Sequence, residues 1–238
     1  MERSQAPYPA IARAHRIDSS DGTMPPTPNT IELRGAVYID KMQPQFAATC
    51  ATNSDGFFPV SGESSFWLEV RPGIVINRLM DVALKACDVK PGALITERSY
   101  GTLEVHGPDQ GMVRQAGALI LKAAGVSASD GLAPNVMTSE IIRKIADHQA
   151  MMINKSRAGM LVLGDDTLYT LEVNPAIYVV LAANEAEKAS PIRLVGLGAQ
   201  GAVGRLRLAG TDAEIDEAVK AVNRALTGIT GRVNQGVD

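Results

Sequence analysis

Shifted by 103 residues, the chain lies on itself. Leu68-Glu69-Val70-Arg71-Pro72 falls on Leu171-Glu172-Val173-Asn174-Pro175, Ile74 on Ile177, and Ala83, Lys85 and Ala86 on Ala186, Lys188 and Ala189. Leu94, Gly101, Leu103 and Gly107 fall on Leu197, Gly204, Leu206 and Gly210. From 66 to 107 the register holds without a gap, and 12 of 42 pairs are identical. About two or three would match by chance at ordinary composition. Duplication of one unit is the reading, and each half must then satisfy the same fold.

Both copies read alike. Phe66 to Val70 alternates as a strand, and Pro72 is expected to open a helix, since proline fits the first helical position. In copy two Asn174 is expected to cap the same helix. Ile74, Leu79, Val82, Ala83 and Ala86 recur at helical spacing as one apolar face. Two strands follow, Ala93–Thr96 and Thr102–Val105, and then a helix from Asp109 to Ala124. Their counterparts are Arg193–Leu197, Arg205–Leu208 and Asp212–Leu226. Upstream, a strand at 31–39 and a short helix at 43–52 match 141–146 and 148–155 loosely. One unit is β-α-β-α-β-β-α, an α+β sandwich with helices on one side of an antiparallel-containing sheet.

The boundaries follow from composition. Residues 1–28 are rich in Pro, Ser and Thr and read as a disordered tail. Residues 29–126 form the first domain, 127–135 a polar Gly/Pro-containing linker, 136–231 the second domain, and 232–238 a short tail. The chain has 238 residues, 45% of them hydrophobic and 4% aromatic, so its interior is built from small aliphatic side chains. Its net charge of −3 gives no pull toward nucleic acid or anionic lipid. The longest apolar run, Ala176 to Ala183, is short of the roughly 20 residues of a membrane span. With no signal pattern at its start, a soluble cytoplasmic protein is expected. Cys50 and Cys87 are too few for a disulfide framework or a structural zinc site.

Few residues of the chain suggest chemistry. Gly196-Leu197-Gly198-Ala199-Gln200-Gly201 has dinucleotide-loop spacing, but the pattern needs a helix to open there. Arg205-Leu206-Arg207-Leu208 alternates like a strand instead, so a tight inter-strand loop is the better reading. His106 and His148 lie in different copies near Asp109 and Asp147, too few groups for a metal site. No nucleophile motif is present, and neither an enzyme nor a cofactor is expected. Glu97-Arg98 is the most unusual pair, at an inter-strand tip where copy two has Gln200-Gly201.

These residues resemble the bacterial microcompartment shell domain, and two in one chain resemble its tandem, trimer-forming branch. Ile31-Glu32-Leu33-Arg34, Gln43-Pro44-Gln45, Leu68-Glu69-Val70, Ala83-Leu84-Lys85-Ala86, Glu97-Arg98, Ala183-Asn184-Glu185-Ala186-Glu187-Lys188 and Gly204-Arg205-Leu206 are similar in order and spacing to the permuted tandem-domain shell proteins of α-carboxysomes. The resemblance implies two circularly permuted, ferredoxin-like domains. It implies a homotrimer forming a pseudohexamer that tiles beside hexameric shell proteins in the carboxysome shell, and that can stack face to face. It implies a central pore gated by Glu97 and Arg98, lined by Thr96, Ser99, Ala199, Gln200, Gly201 and Ala202, and passing small anionic metabolites such as ribulose bisphosphate and phosphoglycerate. It places Lys85 and Lys188 at the tiling edge. The alternatives are a shell protein of a catabolic compartment and a trimeric small-molecule sensor.

Overall fold

The computed structural model describes residues 30–236; the expected tail at 1–28 and the last two residues lie outside them. Copy one runs β1 (Glu32–Ile39), α1 (Pro44–Thr52), β2 (Ser64–Arg71), α2 (Ile76–Ala86), β3 (Lys90–Glu97), β4 (Tyr100–Gly107) and α3 (Gln110–Ala124). Copy two runs β5 (Asn135–Ile142), α4 (Asp147–Lys155), β6 (Thr167–Asn174), α5 (Tyr178–Ala189), β7 (Arg193–Gly198), β8 (Gly204–Gly210) and α6 (Asp212–Thr227). The sheets are ordered β1-β2-β4-β3 and β5-β6-β8-β7, antiparallel throughout.

The 103-residue offset governs the backbone well beyond the identities. Glu32 pairs with Arg71 as Asn135 pairs with Asn174, and Phe66 with Val105 as Tyr169 with Leu208. Even the irregularities repeat, at Leu33/Gly35 and Val136/Thr138 and again at Pro91/Leu94 and Leu194/Gly196. The strand expected at 141–146 lies earlier, at Asn135–Ile142, because most of its residues are exposed in this chain and give no alternating signal.

Two helix starts differ from expectation. Pro72 lies in extended backbone before a 3-10 turn, Gly73–Val75, and α2 begins only at Ile76. The cause is crowding: a Cβ on Gly73 would lie 2.4 Å from the Tyr100 carbonyl oxygen, so the chain must cross β4 closely before it can wind. Asn174 ends β6 instead of capping α5, and its amide donates to the Ala202 carbonyl at 2.6 Å. The peptide bonds before Pro72 and Pro175 are both cis. The apolar face of α2 is Ile76, Leu79, Met80 and Ala83; Ile74 is 67% exposed.

One core lies within copy one, between its sheet and α2/α3, and includes Leu68, Leu79, Leu103, Val105 and Ile120. A larger one joins the copies, packing Val37, Ile39, Phe46 and Trp67 with Tyr169, Ile177, Val180, Leu194 and Leu208. Helix α5 is therefore buried almost all round, whereas its counterpart α2 is buried on one face. The segment from 232, which composition groups with a tail, is tied down. Arg232 donates to the Asp130 and Leu33 carbonyls, and Asn234 to those of Ala133 and Asn174.

Candidate functional site

The expected rim residues sit on two hairpin tips. In copy one, β3 ends at Glu97 and β4 starts at Tyr100, so Arg98 and Ser99 are the whole turn. Such a tight hairpin needs positive φ, and Arg98 has φ 53°. Thr96, Glu97, Arg98 and Ser99 are all exposed. Glu97 and Arg98 make no ion pair with each other or with any described residue.

In copy two the tip spans 199–203. Ala199 and Gly201 are buried, and Gln200 and Ala202 are partly so. The tips meet: the Glu97 carboxylate lies 2.8–3.0 Å from where a Cβ on Gly201 would stand, so glycine is what admits it. Thr102 donates to the Ala199 carbonyl at 3.4 Å. Tip two is tethered by Asn174, itself held by Asn234 at 3.0 Å. Arg71, the counterpart of Asn174, is exposed, and tip one has no such tether.

The base of hairpin one is braced by residues that sequence patterning passed over. Arg34 stacks on the Tyr100 ring at 4.2 Å and pairs with Glu69 at 2.5 Å. Glu69, fully buried, also accepts the Ile177 N–H at 2.8 Å, which joins the copies. Burial pushes the Glu69 carboxyl up, against the opposing pull of Arg34. Tyr178 is pushed up to about 12 by burial and by Glu69, and donates to the Leu132 carbonyl. An Arg and a Glu 35 residues apart give no local signal; only the pairing of β1 with β2 brings them together.

Lys85 pairs with Asp81 at 2.7 Å and Lys188 with Glu185 at 3.6 Å, both lysines well exposed at helix ends. His106 is buried beside Glu104 at 3.1 Å, whereas His148 is exposed on α4. Asp109 caps α3. Among the described residues no group of three or more His, Cys, Asp or Glu is placed to hold a metal, and no helix is long and apolar enough to cross a membrane.

Residues 33–130 match the family described as the CsoS1D N-terminal domain. The chain is 47% identical over 206 residues to the carboxysome shell protein CcmP of Synechococcus elongatus, covering 87% of this chain and 97% of that one. It belongs to the tandem-domain carboxysome shell proteins. A second such shell protein, CsoS1D of Hydrogenovibrio crunogenus, is 44% identical over 85% of this chain and 99% of its own. The fold is shared with the fused permuted hexameric shell protein MSM0275 of the RMM microcompartment, at TM-score 0.82, 38% identity and coverage of 84% and 98%. The double-ringed trimeric shell protein MSM0271 superposes equally well, at TM-score 0.82, 35% identity and coverage of 86% and 100%. As a member of this family the chain is a structural component of a microcompartment shell and not an enzyme.

Proposed function

We propose that three copies close into a pseudohexameric ring whose threefold axis is a gated pore through a carboxysome shell facet. The observation that carries this reading is an interface made once inside the chain and left half-made at its two outer edges. Inside, Asn184 and Glu187 of α5 accept the N–H groups of Gln43, Gln45 and Phe46 at the start of α1. Gln45 exchanges hydrogen bonds with Ile192 and Leu194, and Ile177 is fully buried near Gly35.

Moving each partner by 103 residues gives the unmade contact: α2 and the 56–58 loop of one copy against β5 and α4 of the next. The apolar residues there are exposed. Ile74 is 67% exposed where Ile177 is 0%, and Met152 is 68% where Thr49 is 3%. Phe57 is open as well. A head-to-tail contact repeated from chain to chain makes a closed ring when its rotation divides a full turn, and six equivalent domains need three chains. Exposed patches of this kind mark association surfaces.

In such a ring three untethered tips bearing Glu97 and Arg98 alternate with three tethered tips of small residues. Exposed ion pairs contribute only about 0–1 kcal/mol, so side chains crossing the axis and side chains folded aside lie close in energy. Thr96, Ser99 and Ala199–Ala202 line the opening, and small anions such as ribulose bisphosphate and phosphoglycerate are the proposed permeants. Hexameric shell proteins are the lateral partners, and two rings stack face to face. The likeness to a double-ringed protein supports the stacking, and the higher identity to proteins named for carboxysomes favours that compartment over a catabolic one.

Imaging of purified wild type beside Glu97→Ala/Arg98→Ala tests the gate. The expected outcome is closed and open classes for wild type and only open pores for the double variant, at unchanged ring mass. Glu97 and Arg98 far from the threefold axis in every class would overturn it.

A further inference from the structure

The segment after α6, grouped with a tail by composition, is a strap laid between the two hairpins. Arg232 runs parallel to Leu132 in the connection between the copies. Its N–H donates to the Gly131 carbonyl at 2.7 Å, and its carbonyl accepts the Ala133 N–H at 2.8 Å. Glycine at 231 permits this approach, since a Cβ there would lie 2.5 Å from the Gly131 carbonyl oxygen. The Arg232 side chain reaches the Leu33 carbonyl, next to the Arg34 that stacks on Tyr100 at the base of hairpin one.

Asn234 turns to hairpin two. Its amide nitrogen faces the carbonyls of Ala133 and Asn174 and the side-chain oxygen of Asn174, all at 2.9–3.0 Å, while its oxygen accepts the Gly236 N–H at 3.1 Å. With three acceptors around the nitrogen, the amide has one orientation. Asn174 is 1% exposed and passes the restraint on, donating to the Ala202 carbonyl in tip two. A buried amide has no water to take the place of a lost partner, so such a chain of bonds resists displacement. Shifted back by 103 residues, Asn234 falls on Gly131, Asn174 on Arg71 and Ala202 on Ser99, and Gly131 has no side chain to begin the same chain of bonds.

We infer that Asn234 is a positioning residue of the pore rim: through Asn174 it holds tip two still, as a seat for the Glu97 side chain. Both Glu97 carboxylate oxygens lie 2.8–3.0 Å from where a Cβ on Gly201 would stand, so the side chain leans on tip two. Tips alternate around the axis of the proposed ring. A side chain leaning on the next tip therefore lies along the rim and leaves the opening clear. A still seat favours that arrangement, and a loose one frees Glu97 to cross the axis. The inference rests on the pore reading for this consequence, whereas the hold on tip two is a property of the single chain.

The test compares the full wild-type chain with Asn234→Ala and Asn234→Asp by amide hydrogen exchange and by imaging, with light scattering on each. Asn234→Asp keeps the oxygen that accepts from Gly236 and lacks the nitrogen that donates to Asn174, so it should behave as Asn234→Ala does. Both should speed exchange across 198–205 about threefold or more and change it across 95–102 less than about twofold. Both should lower the fraction of open pores at unchanged ring mass. Val233→Ala, at a neighbouring position that is 84% exposed, should change none of these. Unchanged exchange across 198–205 in both variants, or wild-type behaviour of Asn234→Asp alone, would overturn the inference. So would faster exchange with an undiminished open fraction. Tips far from the threefold axis in wild type would defeat the pore reading instead, and exchange across 198–205 would still decide whether Asn234 holds tip two.

Discussion

Arg98 and Gly201 occupy the same turn position in the two copies, and both are left-handed, with φ 53° and 84°. Glycine adopts that conformation at no steric cost, whereas a side chain there costs about 1–2 kcal/mol. Copy two has the relaxed residue; copy one carries the strain and gains a guanidinium at the tip. Strain kept at an exposed tip beside its own relaxed counterpart fits a functional demand on the arginine.

Arg98→Gly should therefore stabilise the chain by about 0.5–1 kcal/mol, the relief of strain being offset in part by the greater freedom of glycine when unfolded. For a chain of this size that raises the melting temperature by about 1–4 °C. Scanning calorimetry of the two proteins at equal concentration reads it. An unchanged or lower value would mean that Arg98 makes stabilising contacts in the assembled ring.

Ile74 and Ile177 separate folding from assembly. Ile177→Ala empties a fully buried site between the copies and should cost about 2–5 kcal/mol of stability. Ile74→Asp lies on the surface of the single chain, so its circular dichroism should match wild type. Its mass should fall from three times 25.2 kDa toward a single chain when measured by light scattering. A full-sized ring carrying Ile74→Asp would show that α2 does not meet β5 of the next copy.

Buried carboxyls set the pH response of copy one. Burial pushes both Glu104 and Glu69 up, with His106 and Arg34 opposing. The folded chain then holds these protons more tightly than the unfolded one. Their contribution favours folding at acid pH and is lost as pH rises through the folded values, above the ordinary carboxylate range. Glu104→Gln removes one such group, so its unfolding free energy should vary less with pH across that window. Urea unfolding at a series of pH values tests this; parallel profiles would refute it.

The duplication explains how much of this was legible. Between 66 and 107 the identities fix a register, and the strands and helices follow from that register and from alternation. The order of elements agrees with expectation, as does the place of both hairpin tips. What escaped was long-range. Strand β5 gave no pattern because a single chain leaves it uncovered. Arg34 and Glu69 meet only through strand pairing. The late start of α2 reflects the crowding of Gly73 against Tyr100, and that of α5 the equivalent crowding of Gly204 against Ala176, contacts between segments 27 and 28 residues apart in sequence.

Lys85 and Lys188 share one position in the repeat, and their surroundings differ in one respect. Each ends a helix, where a cation gains about 0.3–1 kcal/mol from the aligned backbone dipoles. Asp81 sits one turn before Lys85, whereas Lys188 has Glu185 and borders an open groove with Leu181, Ala221 and Arg224. Such exposed pairs contribute little to one chain, so the lysines are available to a neighbour. Exchanging both for alanine should leave ring mass unchanged and lower the melting temperature by no more than a few degrees. Incorporation into two-dimensional sheets or shells formed with hexameric partners should fall, with Lys188→Ala accounting for more of the loss because its groove is open to an incoming edge. Sedimentation of co-assembled sheets with labelled single and double variants measures this. Equal incorporation of all variants would reduce both lysines to helix-end charges, and dissociation of the ring itself would move them to the interface between chains.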